Sequence, residues 1–285
     1  MRPHTGRFKH EGHRLAYSEY GEGNPVVLLP GLLFSRQMQE PLAISIAERG
    51  YRVVTMDPLG HGDSDRPQDM WKYSMTAFGR EVVALLDHLE IEQAVVGGTS
   101  LGANVTLEAA VLAPDRMRGL VVEMPVLDNA LLGCAIAFSP LLVGLTFGAP
   151  VMRLVAQLAR RVPRGSNQLI DWGLDWVTQD PGPSAAVLQG LFFGRVAPPR
   201  EERRTIDAPA LVIGHPRDPV HPFSDADMLV RELPNGHLLD ASSILELRLT
   251  PERLTGEITR FVDECWKPAA SNGRKVASKA RVSRA

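Results

Sequence analysis

The sequence predicts an α/β fold: a mostly parallel, doubly wound sheet with a helical cap inserted into it. Three observations carry that expectation. Short apolar runs rich in Val, Leu and Ile recur along the chain, and runs of this length suit strands buried on both faces of a parallel sheet. Helical patterns fall between them, and strand–helix alternation builds such a sheet. The rhythm then fails between about Pro125 and Asp207, where only helical and proline-broken apolar segments occur.

Taken in order, "RFKHEGHRLAYSEYG" alternates around a turn at Glu11–Gly12 and reads as a β-hairpin. The strand runs follow: "PVVLLPG" (25–31), "YRVVTMD" (51–57), "QAVVGGT" (93–99), "GLVVEMP" (119–125), "PALVIGH" (209–215) and "HLLDAS" (237–242). Residues 74–90 place Phe78, Val82, Leu85, Leu86 and Leu89 on one helical face, with Ser74 as N-cap. A short helix over 101–113 stops before Pro114, and another over 224–233 begins at Ser224 and stops before Pro234. The last helix opens at Thr250–Pro251, with proline suited to a first helical position. It buries Leu254, Ile258, Phe261, Val262 and Cys265. This division gives a core of 1–125 and 207–266, a cap of 126–206 and a basic tail of 267–285.

The chain has 285 residues, 44% apolar and 22% charged, enough for a sizeable core. A net charge of −2 does not suit a nucleic-acid binder, and no nucleic-acid partner is expected. The tail is the exception in charge. It carries Lys267, Arg274, Lys275, Lys279, Arg281 and Arg284 with no acid, and reads as a solvated, disordered end. The N-terminus has no apolar secretory core. The two cysteines, Cys134 and Cys265, have no metal spacing. A cytoplasmic protein without metal or cofactor is expected, and nothing fixes its oligomeric state. Residues 129–152 are uncharged and long enough to invite a membrane reading. Pro140, Pro150, Gly133, Gly144 and Gly148 interrupt them, so short buried or pocket-lining helices are expected instead of a span.

The chemistry centres on "GGTSLG" (97–102), in which a G-x-S-x-G follows a strand and precedes a helix. A sharp turn there crowds the backbone, and small residues on both sides relieve the clash. Ser100 is then exposed at a helix N-terminus, whose dipole favours developing negative charge. The chain from Phe8 to Trp266 resembles the α/β-hydrolase superfamily. Two further motifs support the resemblance: "MDPLGHGDSDRP" (56–67), similar to the loop after the fourth strand, and "LLPGLLFS" (28–35), in the slot of the H-G loop after the third.

The resemblance implies Ser100 as nucleophile and the backbone N–H groups of Leu32 and Leu101 as the oxyanion hole, with Pro30 replacing the usual histidine. "ALVIGHPRDPVHP" (210–222) puts Asp218 at the acid position, and Asp128, just past the sixth strand, is the alternative. The base departs from the pattern. A Gly-His is expected after the last strand, yet Ser243 and Ile244 stand near that slot, and no histidine follows His237. His221 and His215 flank Asp218 at the carboxyl edge of the sheet, with His221 freer to reach the serine. His237 falls at the opposite edge, Glu246 is a weak base unless burial raises its pKa, and His61 reads as a loop anchor. The expected activity is hydrolysis of a small apolar ester or thioester. Leu131, Phe138, Leu141, Leu142, Leu145 and Phe147 would line a dry pocket or form cap core. A serine at the elbow argues against the aspartate-dependent dehalogenase and epoxide-hydrolase branches. The alternatives are a ligand-binding pseudo-hydrolase, a C–C hydrolase or a cofactor-free peroxidase.

Overall fold

The computed structural model describes residues 1–163, 165 and 168–267. The basic stretch from 268 onward therefore lies outside the described residues.

The N-terminal hairpin is β1 (His4–His10) and β2 (His13–Tyr20), and β3 (Asn24–Leu29) follows. Next come α1 (Glu40–Ala47), β4 (Tyr51–Asp57), α2 (Met75–His88), β5 (Ala94–Thr99), α3 (Leu101–Leu112) and β6 (Met117–Glu123). After β6 come α4 (Leu131–Phe147), α5 (Ala149–Ala159), α6 (Gln168–Val177) and α7 (Pro181–Phe193). The chain continues through α8 (Arg200–Arg203), β7 (Ala210–Gly214), α9 (Phe223–Glu232), β8 (Gly236–Asp240), α10 (Glu246–Leu249) and α11 (Glu252–Trp266).

Among the described residues eight strands form one sheet in the order β1-β2-β4-β3-β5-β6-β7-β8. Only β1–β2 and β2–β4 pair antiparallel, and all pairs from β4 to β8 are parallel. Alternation along β3 explains its apolar run. Val27 and Leu29 join the core beneath α2 and α3, while Val26 and Leu28 join the core beneath α1 and α11. The chain leaves β3 toward β4 on one side and reaches β5 on the other. The crevice at the carboxyl ends of β3 and β5 is therefore the topological switch point where such sheets bind ligands.

Three expectations need correction. β8, expected to be buried on both faces, is the sheet edge, and Leu238 is exposed there. Pro140 does not break α4, which runs through it. Pro140 and Ile136 face solvent, so the carbonyl that loses its helical donor is on the wet side. Pro251 precedes α11 as its N-cap and does not occupy its first turn. Helix α1 had no place in the periodic patterns. Among the described residues no single helix is long and apolar enough to cross a membrane, although α4 and α5 together match in length and composition, bent by 96°.

Candidate active site

Ser100 sits between β5 and α3 with φ 55° and ψ −109°, a conformation costly for a residue with a side chain. The flanking glycines make the turn possible. A Cβ on Gly98 would lie 2.4 Å from the Gly102 backbone, and one on Gly102 would lie 2.4 Å from the Leu29 carbonyl. The elbow is fixed further by the Ser100 N–H, which donates to the Glu123 carbonyl at 2.9 Å.

The Ser100 hydroxyl is 2.8 Å from His221 Nε2. His221 Nδ1 is 2.9 Å from Asp218 Oδ2. An ionised carboxylate only accepts, so this contact assigns the proton to Nδ1 and leaves Nε2 free to accept from the serine. Asp218 Oδ1 takes the backbone N–H groups of Val220 at 2.8 Å and His221 at 2.9 Å. One carboxylate thus both closes the turn and orients the ring. Burial pushes the Asp218 carboxyl up, but the bonds from the His221 ring and backbone outweigh it and hold the carboxyl below its ordinary value.

The other histidines go elsewhere. His215, the second candidate base, is buried with Nδ1 2.9 Å from the Ser243 carbonyl and Nε2 3.4 Å from Glu123. It belongs to a network beneath the elbow, which corrects its proposed reach to Ser100. His61 is buried against Phe78, with Nδ1 2.9 Å from the Leu59 carbonyl, and burial pushes its pKa down to about 4. His237 lies in the outer strand β8, paired with Leu211. Glu246 is held by Arg253 and the Ser242 N–H, which bring its carboxyl down to about 2, so it cannot serve as a base near neutrality. The alternative acid, Asp128, is exposed and faces Arg203 at 3.5 Å.

Two features escaped the sequence reading. Thr99 turns its hydroxyl down, donating to Glu123 Oε2 and accepting from Arg248 at 2.9 Å and Gln39 at 3.1 Å. Arg248 also donates to Glu123 at 2.9 Å. Burial pushes the Glu123 carboxyl up, yet Arg248, His215 and Thr99 together bring it down to about 2. The second feature tethers the helices between β6 and β7. Asn104 bonds the backbone of Val126 in both directions and the Val196 carbonyl. Buried Asp225 accepts from the N–H groups of Leu127, Asn129 and Ala130 just before α4.

Ser100 opens into a cavity of about 230 Å³ lined mainly by apolar side chains. Leu32 and Leu101 line it beside the serine, and Leu131 and Phe138 of α4 face them with Leu188 and Phe192 of α7. The Leu101 N–H is among the first of α3 and has no intrahelical acceptor. Leu141, Leu142 and Leu145 pack together as core of the inserted helices, the second alternative expected for them, and Phe147 is exposed to solvent and lines no pocket at Ser100. A larger cleft of about 460 Å³ lies between Arg36, Arg66 and Gln179. It is polar and does not include Ser100. Among the described residues no cluster of His, Cys, Asp or Glu could hold a metal ion.

A family model for the alpha/beta hydrolase fold matches residues 24–135. The chain is 36% identical over 125 residues to epoxide hydrolase A of Mycobacterium tuberculosis, covering 42% of this chain and 38% of that protein. It is 34% identical over 112 residues to 2-hydroxymuconate semialdehyde hydrolase of Pseudomonas putida, covering 39% and 40%. The chain therefore spans about two-fifths of the length of these curated relatives. The crystal structure of the enol-lactonase from Burkholderia xenovorans LB400 superposes with a TM-score of 0.73 at 20% identity, covering 90% of this chain and all of that one.

Proposed function

We propose that this chain, which has the alpha/beta hydrolase fold, is a serine hydrolase cleaving small apolar esters or thioesters through an acyl-enzyme. The observation that carries the reading is the continuous contact from Ser100 Oγ through His221 to Asp218, at 2.8 and 2.9 Å. His221 Nε2 takes the hydroxyl proton as Ser100 Oγ attacks the carbonyl carbon. The tetrahedral oxygen accepts from the N–H groups of Leu32 and Leu101. Asp218 stays ionised and stabilises the imidazolium, which returns the proton to the departing alkoxide or thiolate. Water then repeats the sequence on the acyl-enzyme and regenerates Ser100.

The apolar walls around Ser100 favour an uncharged acyl or alcohol group. The named relatives include an epoxide hydrolase and a 2-hydroxymuconate semialdehyde hydrolase, but a serine at the elbow 2.8 Å from a histidine ring nitrogen suits acyl transfer. A fluorophosphonate probe followed by mass spectrometry tests the nucleophile. Labelling of Ser100, with turnover across a p-nitrophenyl ester series, is expected. An unlabelled Ser100 under conditions that label a control serine hydrolase defeats the proposal.

A further inference from the structure

The helices between β6 and β7 carry an apolar surface that the Ser100 pocket does not use. On α4, Leu132, Ile136, Val143 and Phe147 are each more than half exposed, and their spacing of four, seven and four residues puts them on one stripe. On α5, Val151, Leu154 and Leu158 repeat the pattern, again each more than half exposed. A helix on a globular core turns its apolar stripe inward; these two stripes face solvent. The charge is equally one-sided. From 129 to 170 the chain has Arg153, Arg160, Arg161 and Arg164 and no acidic residue. Asp128 and Asp171 bound that stretch and Arg160 donates to the Thr178 carbonyl, while Arg153 and Arg161 are exposed. An outward apolar stripe beside exposed arginines, as on α5, is the pattern of a helix that lies in a membrane interface.

We propose that α4 and α5 dock this protein on an anionic lipid surface without spanning it. The bend of 96° between them does not suit one straight span. A second copy of the chain fits the same face poorly. A two-fold pair would set this patch against itself and bring its exposed arginines, Arg153 and Arg161, toward one another. The docked face also gives the pocket a direction. Leu131, Ala135 and Phe138 of α4 line the Ser100 cavity, so docking brings the pocket wall to the lipid phase. Esters whose acyl chains partition into lipid are then the substrate class. This last step rests on the hydrolase reading above, whereas the docking itself does not.

Flotation with the full chain tests the docking. Binding to phosphatidylcholine vesicles containing roughly 30% phosphatidylglycerol is expected, with release at high salt and far weaker binding to phosphatidylcholine alone. Leu154→Glu with Leu158→Glu should weaken vesicle binding by about tenfold or more. The same variant should keep its circular-dichroism melt and its rate on a soluble short-chain ester. If the wild-type chain fails to float with either vesicle, the proposal falls. It also falls if the double variant floats as well as wild type, because the basic residues from Lys267 onward then carry the binding. A concentration-dependent dimer that the double variant dissolves would assign the face to a second copy and overturn the lipid assignment. Loss of ester turnover with intact flotation would defeat the hydrolase reading alone.

Discussion

Two adjacent hydroxyls at the elbow have opposite fates. Ser100 turns up into an apolar cavity and meets His221 at 2.8 Å. Thr99 turns down and is held by Glu123, Arg248 and Gln39. Each belongs to a network with one carboxylate and one histidine, Asp218 with His221 above and Glu123 with His215 below. The lower network adds a guanidinium and is closed at the Thr99 oxygen and the Glu123 Oε2, both engaged, while His215 Nε2 lies 3.4 Å from Glu123 Oε1 without a hydrogen bond. The upper one ends on a serine oxygen with open space before it. The same side-chain types can therefore hold a fold together or stand ready to move a proton. What separates them is whether the last atom of the chain is satisfied or free.

The largest test of this contrast is at the open end. Ser100→Ala should lower kcat/KM on a soluble ester by about 10⁴-fold or more, measured against wild type with the thermal melt as a folding control. His221→Ala should lower it by roughly the same order, and Asp218→Asn by about 10⁴-fold through the wrong ring tautomer. Full activity in His221→Ala would break the comparison, because the upper network would then be as structural as the lower.

Next in size is the closed end. Arg248→Met strands the buried Glu123 carboxylate, so a loss of about 3–5 kcal/mol in denaturant unfolding is expected. The rate on the same ester should change by less than about tenfold, a modest share of the barrier. A collapse in rate with unchanged stability would place Arg248 in the upper network instead.

The elbow was legible because steric demand writes itself locally. Only glycine fits at positions 98 and 102, and the two sit within five positions of one another. The loop after β7 was partly legible for the same reason. Asp218 and His221 are three residues apart between Pro216 and Pro222, so a turn that points both at one place is short-range geometry. The lower network was not legible. Arg248 and Glu123 lie far apart in sequence, and neither breaks a local pattern. Arg248 does stand in the segment where the resemblance called for Gly-His, and an unexplained arginine there was the one signal available. The family-model match ends at residue 135, before Asp218 and His221; the resemblance of 210–222 placed Asp218, and His221 was legible only as its neighbour at the carboxyl edge. The outward stripes of α4 and α5 were hidden differently. Periodicity reports that a helix has an apolar side, but says nothing about where that side points.

The lower network also carries a pH signature. Glu123 titrates at about 2 in the folded chain against 4.5 in the unfolded one. The folded state therefore binds its proton less tightly. The stabilisation is fully present above pH 4.5 and is lost as pH falls from there toward 2. Unfolding free energy measured across that window should fall by a few kcal/mol in wild type. Arg248→Met should flatten this slope, since the guanidinium is the foremost group opposing burial. An unchanged slope would mean that His215 and Thr99 suffice to keep the carboxylate charged.

The smallest expected effect falls on His215, the histidine that most resembles His221 on paper. Both flank Asp218 in one loop, yet His215 is buried and spends Nδ1 on the Ser243 carbonyl. Its pKa reflects a contest: burial pushes it down, and the Glu123 carboxylate outweighs that and lifts it. His215→Gln keeps an N–H donor near the Ser243 carbonyl and removes the imidazole beside Glu123. A destabilisation of about 1–2 kcal/mol is expected, the scale of one buried hydrogen bond left imperfect. The rate should stay within about threefold of wild type, because a residue outside the proton path touches the barrier only through packing. A loss as deep as that of His221→Ala would put His215 on the proton path, and the division between the two networks would disappear.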